Sequence, residues 1–213
     1  YELVRRTIQV KTASGEMLEG KIGYIRISGF KESTVEQFNE ALQNLLNDGA
    51  VALVFDVRGN HGGLVTSVGE CLDPLLPEGD VAFATYRDGR EEVLIRSDAK
   101  ELNLPMAVLV DGDTASAAEL FASALRDFEK AKLYGVTTYG KGVMQNTISL
   151  DDGGGLTITV ATYRTARSVC YQGIGLIPDE TVELPEDAPA LDERSHDADP
   201  QLQKALTALQ GGA

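Results

Sequence analysis

The sequence predicts an α/β fold, and three observations carry that prediction. Two near-continuous apolar runs, Ala50–Val57 and Met106–Val110, have the length and composition of strands covered on both faces. Each is followed by a short turn and then by apolar residues at helical spacing, giving the strand–loop–helix units Ala50–Leu76 and Met106–Phe128. Glycines gather at the ends of the apolar runs, where the chain must turn.

The elements follow in order. Leu3–Lys11 alternates and is rich in β-branched residues, which predicts a strand; Ser14-Gly15 reads as a turn. Lys21–Ser28 alternates cleanly and predicts a second strand. Ser33–Asp48 carries Val35, Phe38, Leu42, Leu45 and Leu46 at helical spacing, with Ser33 and Glu36 as a capping box and Gly49 at the C′ position. After the Ala50–Val57 strand and the Gly-rich turn Arg58–Gly63, a helix runs from Leu64 to Leu76 and stops at Pro77. Val81–Tyr86 and Val93–Arg96 pair around Asp88-Gly89. Met106–Val110 leads into an alanine-rich amphipathic helix, Ser116–Phe128, and Ala131–Tyr134 is a short strand. Gln145–Leu150 and Leu156–Tyr163 form a hairpin around Asp151–Gly155. Pro185–Asp199 is acidic and rich in Pro and Ala, as a linker is. Asp199-Pro200 is an N-cap with Pro at N1, opening a last helix over Gln201–Leu209. Residues 1–184 therefore read as a core, and 185–213 as an acidic linker with a C-terminal helix.

The chain has 213 residues, enough for one domain, or for one with a small appendage, with a sizeable core and no staples. Its formal net charge of −14 argues against a nucleic-acid partner and against attraction to anionic lipid, both of which need clustered Lys and Arg. Acidity of this kind otherwise serves solubility. The two cysteines, Cys71 and Cys170, have neither a CxxC nor a zinc-ligand spacing. Cys71 falls at an apolar helical position, as a buried thiol does, and a Cys71–Cys170 disulfide stays open at this stage. No apolar run reaches the ~18 residues of a membrane span. A start at Tyr1, without Met or a signal peptide, fits a mature form or an excised fragment.

In α/β units, ligands sit beyond the C-terminal ends of the strands, which joins Arg58–Gly63 and Asp111–Ser116 into one candidate site. Ser116 opens a helix directly after a buried strand, where backbone N–H groups stabilise developing negative charge. Ser116-x-x-Glu119 is equally a capping box. Gly62-Gly63 lets the backbone approach a ligand closely and aim N–H groups at it, or serves as a plain turn. Lys141, between Gly140 and Gly142, acts as a base only if its pKa falls from about 10.4 toward ~7, which burial among apolar groups promotes; otherwise it is a solvated turn lysine. Gln145, four residues on, shares a side of the chain with Lys141 and can orient an amine without adding charge; it also suits a surface strand start.

Together these residues lie in segments that resemble the C-terminal processing peptidases, or tail-specific proteases. The matching segments are KIGYIRISGF (Lys21–Phe30), VFDVRGNHGG (Val54–Gly63) and VLVDGDTASAAELFASALRD (Val108–Asp127). TTYGKGVMQ (Thr137–Gln145), LTITVATYRT (Leu156–Thr165) and GIGLIPD (Gly173–Asp179) follow in the family's order. The resemblance implies a crotonase-like (ClpP-like) α/β core. It implies Ser116 as nucleophile, Lys141 as general base and Gln145 as its orienting partner. The implied oxyanion hole comes from the backbone N–H of Ala117 and of Gly62 or Gly63. No metal or other cofactor is implied. The implied substrates are proteins or peptides with accessible C-termini, the location is extracytoplasmic (periplasm or cell envelope), and a homo-oligomer is possible. A PDZ domain is expected ahead of the core in the full-length protein, outside this chain. The sequence departs from the family's habit at His61, at Tyr139 and at Thr165–Ser168. Three rival readings remain: a Ser–His hydrolase with His61 as base, a non-catalytic ligand- or peptide-binding module on the same fold, and an acyl-CoA enzyme of the crotonase type.

Overall fold

The structure is a computed structural model, and it describes residues 10–98 and 100–211. Strands β1 (Ala13–Leu18), β2 (Ile22–Ile27) and β3 (Ala52–Asp56) are followed by β4 (Gly79–Tyr86) and β5 (Glu91–Ser97). Then come β6 (Met106–Val110), β7 (Ala131–Gly135), β8 (Val143–Ser149), β9 (Gly155–Thr165) and β10 (Glu180–Thr181). The helices are α1 (Glu32–Asn47), α2 (Val65–Leu72), α3 (Ala117–Asp127) and α4 (Pro200–Gly211).

Among the described residues two sheets form, a six-stranded one in the order β1-β2-β3-β6-β7-β10 and a four-stranded one in the order β5-β4-β9-β8. β2, β3, β6, β7 and β10 run parallel; β1 pairs antiparallel with β2. Strand alternation splits the parallel sheet into two cores. Ile25, Leu53, Phe55, Val108, Val110 and Leu133 face α1, α2 and α3. Ile22, Tyr24, Val54, Ala107, Leu109 and Tyr134 face the other way, against Leu202 and Ala205 of α4. Phe55 stacks with Phe38 of α1 and meets Phe121 of α3 edge-on, at centroid separations of 5.9 and 5.6 Å. Each such buried ring contributes on the order of 2–3 kcal/mol. Together they fix α3, and with it Ser116, over the C-terminal ends of β3 and β6.

Several sequence expectations are corrected. Ser14-Gly15 lies inside β1 rather than in a turn. A Cβ on Gly15 would come within 3.0 Å of Ala41 Cβ, so this glycine lets α1 pack on the strand. Of the strand expected over Leu3–Lys11, Val10 and Lys11 are not in a strand, and the rest lies outside the described residues. Helix α1 is capped by Thr34, not by Ser33 and Glu36: its hydroxyl accepts the Lys31 N–H at 2.8 Å and donates to the Gly29 carbonyl at 2.9 Å. Gly49 does take the C′ position, at φ +84. α2 ends at Leu72 and a 3₁₀ turn, Asp73–Leu75, continues it. Pro74, which lacks an N–H and crowds the preceding turn, ends the α-helix earlier than Pro77 would. Both cysteines are free, with Cys71 buried. The acidic stretch Pro185–Asp199 is largely exposed, and within it only the last residue, Asp199, is buried as a whole.

Candidate active site

The turns after β3 and β6 meet side by side. Asp111 organises both. It accepts the Gly59 N–H at 2.9 Å and, on the same carboxylate, the Thr114 N–H at 2.8 Å. Ala115 N–H donates to the Asn60 carbonyl at 2.9 Å, which joins the two turns directly. Asn60, fully buried, anchors the Gly-rich turn: its amide donates to the Ile27 carbonyl at 3.0 Å and its carbonyl oxygen accepts the Gly62 N–H at 2.8 Å.

Ser116 is the N-cap of α3 and has φ 58, ψ −120, a conformation an L-residue adopts only under constraint. Gly62 makes it sterically possible, since a Cβ there would lie 2.8 Å from Ala117 N and 2.9 Å from Ser116 Cβ. Gly63 is tied to Phe30 on the other side, where a Cβ would come 2.0 Å from the Phe30 carbonyl oxygen. The Gly62 N–H is consumed by Asn60. Among the described residues, the N–H groups of Gly63 and Ala117 donate to no acceptor.

The segment around Lys141 is held against the serine turn by Glu119, which is completely buried. Its Oε2 accepts the N–H of Ser116 and of Lys141, both at 2.8 Å. Its Oε1 accepts the Gly140 N–H at 2.7 Å and the Thr138 hydroxyl at 2.5 Å. Gly140, at φ +87, passes so close to Ile174 and Gly175 that a Cβ would lie 2.7 Å from the Gly175 nitrogen. Tyr163 of β9 completes the wall. Its hydroxyl donates to the Lys141 carbonyl at 2.7 Å and stands 3.3 Å from Ser116 Oγ. That hydroxyl also donates to Ser116 Oγ, as the longer arm of a shared hydrogen bond, its one proton serving both oxygens. Burial pushes the Tyr163 phenol up to about 12, against the opposing hydrogen bond with Ser116, so it stays protonated at ordinary pH.

Ser116, Lys141, Gln145, Gly63, Val65 and Tyr163 line one cavity of about 320 Å³, with Val143 and Met144. Ser116 and Lys141 are half-buried and Gln145 is exposed, next to a register shift where β8 meets β9. No hydrogen bond among the described residues joins Lys141 Nζ to Ser116 Oγ. Ala117 directly follows the serine as the first residue of α3. His61 is exposed and does not line this cavity. Among the described residues no group of three or more His, Cys, Asp or Glu is placed to hold a metal ion. No described helix is long and apolar enough to cross a membrane. The arrangement thus offers a hydroxyl, an amine, a neutral amide and the unengaged Gly63 N–H around one space, with the unengaged Ala117 N–H next in sequence to the hydroxyl, which is the equipment of acyl transfer.

Sequence reasoning missed two of these residues. Glu119 was visible only as half of a capping box, with no sign of its bonds to Gly140 and Lys141. Tyr163 sits at an unremarkable inward position of a strand, and only the packing of β9 brings it to Ser116.

The pattern of peptidase family S41 matches residues 21–182. The carboxyl-terminal-processing protease of Synechocystis is 34% identical over 216 residues, covering 100% of this chain and 50% of that protein. The carboxy-terminal processing protease CtpA of Bacillus subtilis is 36% identical, covering 85% of this chain and 39% of that protein. The structure of a photosystem II D1 C-terminal processing protease superposes with a TM-score of 0.74 at 29% identity, over 84% of this chain and 50% of that one. The chain spans half or less of the length of these relatives. With a match over most of its length, the chain belongs to peptidase family S41.

Proposed function

We propose that this chain is the catalytic core of a serine endopeptidase that cleaves protein substrates near their C-termini. One observation carries the reading: Ser116, Lys141 and Gln145 line a single cavity beside Gly63. Ser116 Oγ attacks the scissile carbonyl carbon while Lys141 Nζ, in its neutral form, takes the hydroxyl proton. Gln145 orients the amine. The carbonyl oxygen becomes an oxyanion facing the N–H groups of Gly63 and Ala117. Gly63 is preferred to Gly62 for this role because the Gly62 N–H is already bound to Asn60. Collapse of the intermediate breaks the C–N bond, and the leaving amine takes the proton from Lys141. Water then attacks the acyl-enzyme, giving a proton to Lys141, and Ser116 departs with it. No step calls for a metal or cofactor.

The reaction requires the Ser116 hydroxyl to exchange Tyr163 for Lys141 as partner. That is a side-chain rotation inside one cavity, of the kind substrate binding commonly induces. An extended substrate adds to β8, the outer strand of its sheet, whose Val143, Met144 and Gln145 line the cavity. The crotonase-like character of the core, a PDZ domain in the full-length protein, a homo-oligomeric assembly and an extracytoplasmic location belong to the same reading and rest on family resemblance.

The test is cleavage of a tagged unfolded substrate by the chain beside Ser116→Ala and Lys141→Ala variants. The reading expects cleavage by the unaltered chain and loss of at least about 1,000-fold in each variant. Equal cleavage by all three would end it.

A further inference from the structure

A buried ionic cluster on the α4 side of the sheet is left unexplained by this mechanism. Arg58 opens the turn that ends at Gly63, yet its guanidinium does not enter the cavity. It is 2% exposed and reaches to the start of α4. One edge meets Asp56, with Nε 3.0 Å from Oδ1 and Nη2 2.6 Å from Oδ2. The other edge meets Asp199, with Nη1 3.1 Å from Oδ1 and Nη2 2.7 Å from Oδ2, and Gln201 Oε1 at 2.8 Å. Asp199 also caps α4, accepting the N–H groups of Gln201 and Leu202 at 3.1 Å each. Arg194, buried as well, has Nη1 3.7 Å from Asp199 Oδ2.

The turn itself is pliable. Gly59, Gly62 and Gly63 all have positive φ, at 64, 98 and 143, and glycine resists distortion least. Its shape is therefore set by its anchors. Asn60 anchors the middle and Phe30 the end, through the Gly62 carbonyl at 3.0 Å and the Leu64 N–H at 2.8 Å. The start is anchored by Asp111, which accepts the Gly59 N–H at 2.9 Å, and by Arg58, whose carbonyl accepts from Arg26 at 2.6 Å and whose side chain is gripped on two edges. A guanidinium held by paired carboxylates has no rotational freedom left. Asp56 alone would leave one edge of it loose.

We propose that Asp199, assisted by Gln201, is a positioning residue of the active site: by clamping Arg58 it holds the Gly59–Gly63 turn in the shape that presents the Gly63 N–H. The consequence for catalysis rests on the reading of Gly63 as an oxyanion donor. A donor displaced by a fraction of an ångström stabilises the transition state less while leaving ground-state binding intact. The C-terminal helix is then part of the catalytic apparatus at a distance, although none of its residues lines the cavity.

The experiment compares the unaltered chain with Asp199→Asn, which keeps a helix-capping side chain but removes the charge. Gln201→Leu is a milder second variant, and Lys204→Ala, on the exposed side of α4, is the control. Hydrogen exchange is followed by mass spectrometry, and kcat and KM are measured on a peptide substrate. The proposal expects exchange in the Gly59–Gly63 segment to rise about 10-fold in Asp199→Asn, and less in Gln201→Leu, with α3 and β6 unchanged. It expects kcat to fall about 10- to 100-fold with KM within about twofold. Unchanged exchange in the turn of a folded Asp199→Asn protein overturns it, as does a rise spread evenly over the whole chain. If the unaltered chain cleaves no peptide but the localised exchange appears, the protease reading falls and the clamp stands. If it cleaves and Asp199→Asn matches it in both readouts, the clamp falls alone.

Discussion

Ser116 and Lys141 donate their backbone N–H groups to the same carboxylate oxygen, Glu119 Oε2, each at 2.8 Å. The distance between the serine turn and the lysine loop is therefore set by one buried atom of a third residue. Glu119→Ala would leave four donors without an acceptor, those of Ser116, Gly140, Lys141 and Thr138. Each orphaned donor costs about 1–3 kcal/mol. The expected outcome is a marked fall in the urea midpoint. In whatever fraction folds, kcat drops by about 100-fold or more, since loop misplacement near 1 Å has that effect. Glu119→Gln keeps one accepting oxygen and should lie between the two. Normal peptide turnover by Glu119→Ala would show that the two loops hold their separation without the shared carboxylate.

Gly63→Ala tests the close approach of the Gly-rich turn. Its Cβ would stand 2.0 Å from the Phe30 carbonyl oxygen, in a backbone region with φ 143. The turn must move, and the Phe30–Gly63 bridge with it. Activity should fall by about 100- to 1,000-fold, the effect of losing one oxyanion donor. Asn60→Ala should act on the same turn by a different route, by releasing the Gly62 N–H. If Gly63→Ala retained wild-type kcat, Gly63 could not be the donor.

Much of this arrangement was legible in the sequence, for identifiable reasons. The strands Ala52–Asp56 and Met106–Val110 are buried on both faces, so their apolar runs are unbroken and flagged themselves. Ser116 stands out by its helix start, Lys141 by its flanking glycines and Gln145 by its four-residue spacing from Lys141. What was illegible depends on partners far along the chain. Gly15 looks like a turn residue until Ala41 and Leu45 are seen against it. Asp199 reads only as the N-cap of the last helix, because its partner Arg58 lies 141 residues earlier. Tyr163 and Ser116 are 47 residues apart and meet only when the two sheets are packed. Local pattern reports which face of an element is buried; it does not report which side chain waits there.

Tyr163→Phe separates the two jobs of that hydroxyl. The Lys141 carbonyl loses its 2.7 Å donor, and Ser116 Oγ loses its resting partner. A stability loss of about 1 kcal/mol is expected from the first. With the lysine loop less firmly held, kcat should fall by about 3- to 10-fold. The pH dependence should keep its shape, because a phenol pushed up to about 12 does not titrate in the working range. Comparison of kcat/KM against pH for the two proteins checks this. A limb of the profile that vanished in Tyr163→Phe would mean that the phenol itself exchanges the catalytic proton.

The Asp199 carboxyl supplies a pH-dependent part of the stability whose sign is fixed. Burial acts to raise its pKa, but the hydrogen bond and charge of Arg58, helped by the Leu202 N–H and Arg194, outweigh it and hold the group below the usual value of 3.8. A carboxyl whose pKa is depressed by folding contributes stability above its unfolded pKa, and that contribution fades as pH drops through the folded value. The neighbouring Asp56 is common to the protein and its Asp199→Asn variant, so the difference between them isolates Asp199. Urea unfolding at pH 7 should find Asp199→Asn less stable, because Arg58 and Arg194 lose a buried counter-charge. As the pH is lowered past about 4 the gap should narrow steadily, since protonation does to the native carboxyl what the substitution has already done. A stability gap that stayed constant from pH 7 down to the acid transition would mean that the carboxylate charge contributes nothing, and that capping of α4 by either side chain is all that position 199 provides.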